Sequence, residues 1–166
     1  MEILNKKTIL ITGSAGFIGF HTAKKLLEAG NIIIGADNFN NYYDPSLKEA
    51  RNSILQGFSN FKLYRGDLSD EDFVERIFKE NKIDQICHLA AQAGVRYSLG
   101  NPRVYIKANI DAFINILEAA RNYKIKDLVY ASSSSVYGSN QKVPFSETDN
   151  TDNPISLYAA TKKADE

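Results

Sequence analysis

The sequence predicts a doubly wound α/β fold built on a parallel sheet. Short apolar runs alternate with longer amphipathic stretches, the pattern of strands and covering helices. The runs are apolar throughout rather than every second residue, as strands are when helices cover both faces of a sheet. A glycine-rich turn joins the first run to the first amphipathic stretch, where such sheets receive phosphate groups.

Taken in order, residues 8–12 (TILIT) form the first predicted strand. Residues 16–29 follow as a helix, with Ile18, Thr22 and Leu26 on one stripe beside Ala23 and Leu27, and Gly30 ends it. Residues 31–36 (NIIIGA) form the second strand, 37–45 a polar loop rich in Asn and Tyr, and 46–55 a short helix with Pro45 or Ser46 at its start. Then come a strand over 61–64, a helix over 70–80, a strand over 83–89, a long helix over 103–123 and a fifth strand over 127–131. A further helix begins at 154, and the chain stops inside it at Glu166. The expectation is one nucleotide-binding domain, residues 1–166, from a longer protein.

Composition excludes several classes. Hydrophobic residues make 43% of the 166 and charged residues 24%, ordinary for a globular protein able to bury a core. Twenty Lys and Arg balance twenty Asp and Glu, so there is no basic footprint for nucleic acid and no charge run for a membrane surface. Runs such as Ile32-Ile33-Ile34 are far too short to span a bilayer. The first residues show no apolar signal stretch, and the single cysteine, Cys87, cannot form an internal disulfide. A cytoplasmic protein is the simplest expectation. Cys87 reads as a small buried hydrophobe, and the two histidines, His21 and His88, have no ligand-spaced partners for a metal.

Gly13, Gly16 and Gly19 are spaced GxxGxxG between the first strand and the first helix. Gly13 allows a tight turn, Gly16 lets the backbone approach a pyrophosphate, and Gly19 lets the helix pack closely on the sheet. Phe17 and Ile18 lie in the helix's first turn, whose N–H groups face the phosphates. Asp37 follows the second strand, placed to accept hydrogen bonds from the adenosine ribose and to repel a 2′-phosphate. This favours NAD over NADP, with Asn38 beside it a further cofactor-binding position; the alternative is an aspartate capping a turn, which Asn38 and Asn40 would also suit. Asp67, beside Leu68, could receive the adenine amino group or could equally cap its own loop.

Tyr158 and Lys162 form YxxxK on the last predicted helix, the i, i+4 spacing putting both on one face. A nearby ammonium favours a phenolate, which makes a tyrosine usable as a base. Upstream, Ser132 to Ser135 directly follow the fifth strand, at the carboxyl end where sites form in parallel sheets.

The combination of the glycine turn with HLAAQAGVR (88–96), YASSSSVYG (130–138) and YAATKK (158–163) resembles the extended short-chain dehydrogenase/reductase family of nucleotide-sugar epimerases and dehydratases. The resemblance covers essentially the whole chain and corresponds to the N-terminal half of a typical member. DNFNNYYDPSLKEAR (37–51) and AAQAGVRYSLGNPRVYIKANI (90–110) are more narrowly similar to UDP-glucuronate 4-epimerases.

The resemblance implies a Rossmann-type domain holding NAD and a 4-epimerase acting by transient oxidation at C4, UDP-glucuronate to UDP-galacturonate. Tyr158 would take the proton of the sugar 4-hydroxyl, Lys162 would bind the nicotinamide ribose, and Ser133 would supply the catalytic hydroxyl, with Ser134 near the substrate. Ala90, Ala91 and Gln92 would line the cofactor, and Asn109 would support the site from the long helix. The family's dehydratases carry an Asp-Glu pair where this chain has Ser134 and Ser135, which favours epimerisation over elimination. Arg96 could meet an anionic group of the substrate or lie in solvent. Alternatives are a UDP-glucose or UDP-N-acetylglucosamine epimerase, a reductase, or a dinucleotide-binding module without turnover. Two neighbouring stripes on the long helix (Tyr105, Ala108, Ala112, Ile116, Ala119 and Ile106, Ile110, Phe113, Leu117, Ala120) make a wide apolar face, and the resemblance implies a homodimer across it. This chain alone, without its substrate domain, is expected to be inactive.

Overall fold

A computed structural model describes residues 6–166. The first five residues, part of the stretch read for a targeting signal, lie outside the described residues. Five strands, β1 (Thr8–Thr12), β2 (Ile32–Asp37), β3 (Phe61–Arg65), β4 (Gln85–His88) and β5 (Asp127–Tyr130), pair in parallel in the order β3-β2-β1-β4-β5. The order reverses direction between β1 and β4, so the carboxyl ends of these two strands flank the crevice of the sheet.

Strand alternation sorts the side chains between two cores. Leu10, Ile34, Ala36, Tyr64 and Ile86 point to one face, which α3 (Glu71–Glu80) and α6 (Ala112–Asn122) cover with Phe73, Val74, Ile77, Ile116 and Ala119. Ile9, Ile11, Ile33 and Phe61 point to the other, covered by Phe20, Ala23 and Leu27 of α1 (Phe17–Glu28) and Leu55 of α2 (Pro45–Gln56). β5 departs from the expected double cover: Val129 is 67% exposed, and Asp127 faces solvent. Among the described residues, no helix is long and apolar enough to cross a membrane.

The predicted elements shift mostly at their ends. Asp37 belongs to β2 rather than to the following loop. Asp44 caps α2, accepting from Ser46 N, with Pro45 at its first position. Gly30 stops α1 from a left-handed φ of 88°. Two features were not anticipated. Residues 95–100 form a short helix, α4 (Val95–Gly100), entered from Gly94 at φ 104°. The long helix is broken into α5 (Pro102–Tyr105), a π-helical segment (Ile106–Asp111) and α6. Of the first stripe, Tyr105, Ala112, Ile116 and Ala119 are buried; of the second, Phe113 and Ala120 are buried whereas Ile106 and Leu117 are exposed, as is neighbouring Ile114. Cys87 is only half-buried, a correction to its reading as a core residue; burial still pushes its thiol up.

Ile116 is fully buried between α6 and the sheet. Ile116→Ala should cost about 2–5 kcal/mol of stability, the range for emptying a buried Ile site. Urea unfolding checks this, and a loss under about 1 kcal/mol would contradict the packing.

Candidate active site

The glycine turn is built by steric necessity. Gly13, at φ 67°, donates its N–H to Ala36 O at 2.7 Å, and a Cβ on it would lie 3.0 Å from the Ala90 backbone. A Cβ on Gly19 would sit 2.1 Å from Gly13 O, so only glycine lets α1 start this close to the turn. Gly16 is the N-cap of α1 and offers no side-chain bond, which leaves first-turn N–H groups for an anion. The side chains of Phe17 and Ile18 point out to solvent, and any phosphate contact from them is through the backbone.

Thr12 fixes the opposite wall. Its hydroxyl accepts from Leu89 N and Ala90 N, both at 3.0 Å, and pairs with His88 Nδ1 at 2.9 Å. The loop after β4 is thereby held against the glycine turn. One cleft is lined by nine expected positions: Gly13, Gly16, Asp37, Asn38, Asp67, Leu68, Ala90, Ala91 and Gln92.

Asp37 is buried and already engaged. Its carboxylate accepts from Ala15 N at 3.1 Å, Phe39 N at 2.8 Å and Lys48 Nζ at 3.1 Å. It fastens the glycine turn to the end of β2, which is the geometry of the capping alternative. Lys48, which sequence reasoning gave no part, is also buried, lines the cleft and bonds Asn40 at 3.2 Å. A 2′-phosphate would therefore meet an ion pair rather than a bare carboxylate. Asp67 takes Ser69 N and Oγ on one oxygen and Lys107 Nζ on the other at 2.9 Å, the loop-cap geometry. Burial raises its carboxyl, but these donors outweigh it and hold it below the usual range.

The second half of the site lies on α7 (Leu157–Asp165), capped by Ser156, whose Oγ accepts from Ala159 N. Tyr158 is half-buried, with its ring 6.0 Å from that of Tyr105. Lys162 is buried and donates to Asp165 Oδ2 at 2.9 Å. Ser133 caps a 3-10 turn (Ser134–Tyr137) that packs against α7, with its Oγ accepting from Ser135 N at 3.2 Å. Ser134 is exposed.

One buried side chain joins the halves. Asn109 Oδ1 accepts from Gln92 N at 2.7 Å, and its Nδ2 donates to Gln92 O at 3.1 Å and Thr161 Oγ1 at 3.0 Å. Asn109 lies in the π turn, a local irregularity often found at functional sites. Arg96 stands apart: it is exposed on α4 and lines a separate shallow depression with Tyr97 and Tyr42. His88 is buried, stacked on Phe113, and held neutral; burial and then the Lys162 charge push it down to about 3. No metal-ligating cluster occurs among the described residues.

This sheet order and crevice define a Rossmann-type domain. The chain belongs to the family described as GDP-mannose 4,6 dehydratase, which matches residues 10–166. Protein CapI of Staphylococcus aureus is 53% identical over 158 residues, covering 95% of this chain and 47% of that protein. UDP-glucuronate 4-epimerase 4 of Arabidopsis thaliana is 51% identical over 163 residues, covering 98% of this chain and 37% of that protein. The crystal structure of a UDP-glucuronic acid 4-epimerase from Bacillus cereus, in complex with UDP-glucuronic acid and NAD, superposes with a TM-score of 0.86 at 34% identity. It covers 95% of this chain and 49% of that one. The chain thus spans about half the length, or less, of the relatives it matches.

The Asp37–Lys48 pair gives a test of the cleft's construction. Asp37→Asn strands a buried ammonium and should cost about 3–5 kcal/mol. Denaturant unfolding measures it, and a cost near zero would show that the carboxylate is dispensable.

Proposed function

We propose that this chain carries the cofactor and proton-transfer half of an NAD-dependent nucleotide-sugar 4-epimerase, acting on UDP-glucuronate. The observation that supports this best is the Asn109 link: the cleft fit for a dinucleotide and the helix bearing Tyr158 and Lys162 are one hydrogen-bonded unit. The similarity to UDP-glucuronate 4-epimerases at about half identity supports the substrate.

The cleft suits NAD on its own chemistry. Glycines give backbone access, the uncapped N-terminus of α1 meets the pyrophosphate, and Asp37 with Lys48 meets the adenosine ribose. When bound, NAD supplies a reversible hydride acceptor. Tyr158 would remove the proton of the C4 hydroxyl as that carbon is oxidised to a carbonyl. Ser133 donates a hydrogen bond to that oxygen. After the keto sugar turns over, Tyr158 would return the proton to the C4 oxygen as the carbonyl is reduced on its other face. Lys162 holds the nicotinamide ribose from the same helix face as Tyr158. Ser134 and Ser135 supply no carboxylate, so elimination of water lacks an acid and a base.

Arg96 and Ser134 are proposed to meet the substrate, and Asp67 and Leu68 the adenine. The protein is proposed to work in the cytoplasm as a homodimer through the exposed Ile106, Ile114 and Leu117. Light scattering on the full-length protein checks this, and a clean monomer at tens of micromolar would rule the dimer out.

Two outcomes test the reading. Calorimetry should show tighter binding of NAD than of NADP, and equal or tighter NADP binding would overturn the ribose assignment. In the full-length protein, Tyr158→Phe should lower conversion of UDP-glucuronate by about 10²–10⁴-fold while leaving NAD bound. If the variant keeps half of the wild-type rate, Tyr158 is not the base. A product formed only from UDP-glucose or UDP-N-acetylglucosamine would reassign the sugar.

A further inference from the structure

Lys162 does not stand alone in the site. Its Nζ lies 2.9 Å from Asp165 Oδ2, and the two side chains are only 4% and 3% exposed. The second oxygen, Asp165 Oδ1, is buried with no hydrogen-bond partner. Burial pushes the Asp165 carboxyl up, against the pull of the ammonium. As a device for stability this is poor. A buried ion pair often does no better than an apolar pair of the same volume, and an orphaned acceptor adds its own desolvation cost. The arrangement makes sense where the lysine itself must stay charged in a dry place, because an unpaired buried ammonium is driven to lose its proton.

We propose that Asp165 is a positioning residue for Lys162: its carboxylate keeps the ammonium charged and fixed at the depth from which it meets the nicotinamide ribose. This rests on the reading of Lys162 as the ribose contact. An ammonium has three N–H donors, so one can remain on Asp165 while the others turn to the ribose hydroxyls.

Among the described residues, no other group is placed to do this. From β4, His88 is neutral and cannot balance a cation. On the π-helical segment, Lys107 is paired with Asp67, and Asp111 is exposed. Arg96 and Tyr97 of α4 and Arg103 of α5 are exposed, and Tyr105 gives its hydroxyl to Ala93 O and Gly94 O. Tyr137 of the 3-10 turn stacks on Phe145. On the chain of α7 itself, Lys163 and Glu166 bond each other, and Glu166 accepts from Ser132 at 2.6 Å.

The experiment is NAD binding to this chain by calorimetry from pH 6 to 10, for wild type, Asp165→Asn and Lys162→Ala, with circular dichroism to check folding. With Asp165→Asn, affinity should fall several-fold at neutral pH, and its alkaline loss should begin at least one pH unit below that of wild type. Lys162→Ala should bind weakly without that alkaline loss. If Asp165→Asn follows the wild-type curve while Lys162→Ala binds weakly, Asp165 only fills space and the proposal is overturned. If Lys162→Ala binds as wild type does, the ribose reading of Lys162 falls, and the proposal with it. Should Asp165→Asn fail to fold, Lys162→Met combined with Asp165→Leu should restore folding, since neither charge is stranded. Failure of that pair too would trace the loss to packing and overturn the proposal.

Discussion

Asn109 is the residue on which the geometry of the site depends. A nucleotide cleft at the crevice between β1 and β4 and a helix bearing Tyr158 and Lys162 could each form without the other. The three hydrogen bonds of one buried amide hold them in register. Because Asn109 is 1% exposed, those bonds act in a low dielectric, where a lost partner leaves groups unpaired at full cost. The π turn is the backbone's way of placing that amide. An unbroken α-helix would carry position 109 through a different angle relative to both Pro102 and the core residues of α6.

The same logic runs through the cleft wall. Thr12 pins the loop after β4, Asp37 pins the glycine turn, and Gly13 and Gly19 allow the backbones to meet. Each contact is made by backbone groups or by short, buried side chains. A site built from such parts changes little when a ligand arrives, which favours tight and oriented binding.

Much of this is legible in the sequence. The strands, the glycine spacing and the YxxxK pair each follow from local rules, and the nine expected cleft positions share one cavity because they all sit at strand ends. Other parts are not legible, for physical reasons. α4 is six residues long, too short for a hydrophobic period to show. A π turn has no composition of its own. Nothing in the sequence marks Lys48 or Asp165, and only the fold reveals that each is buried against an opposite charge. The fifth strand is expected to be covered on both faces like the others, yet nothing in so short a run tells whether both of its faces are, and Val129 is exposed.

We propose that one bound NAD reaches from Asp37 in the cleft to Lys162 on α7. A crystal structure of this chain grown with NAD tests it most directly. The adenosine ribose is expected on Asp37 and Lys48, the pyrophosphate at the N-terminus of α1, and the nicotinamide ribose within hydrogen-bond reach of Lys162. NAD bound in any other orientation, or a cleft without NAD at saturating concentration, would contradict it.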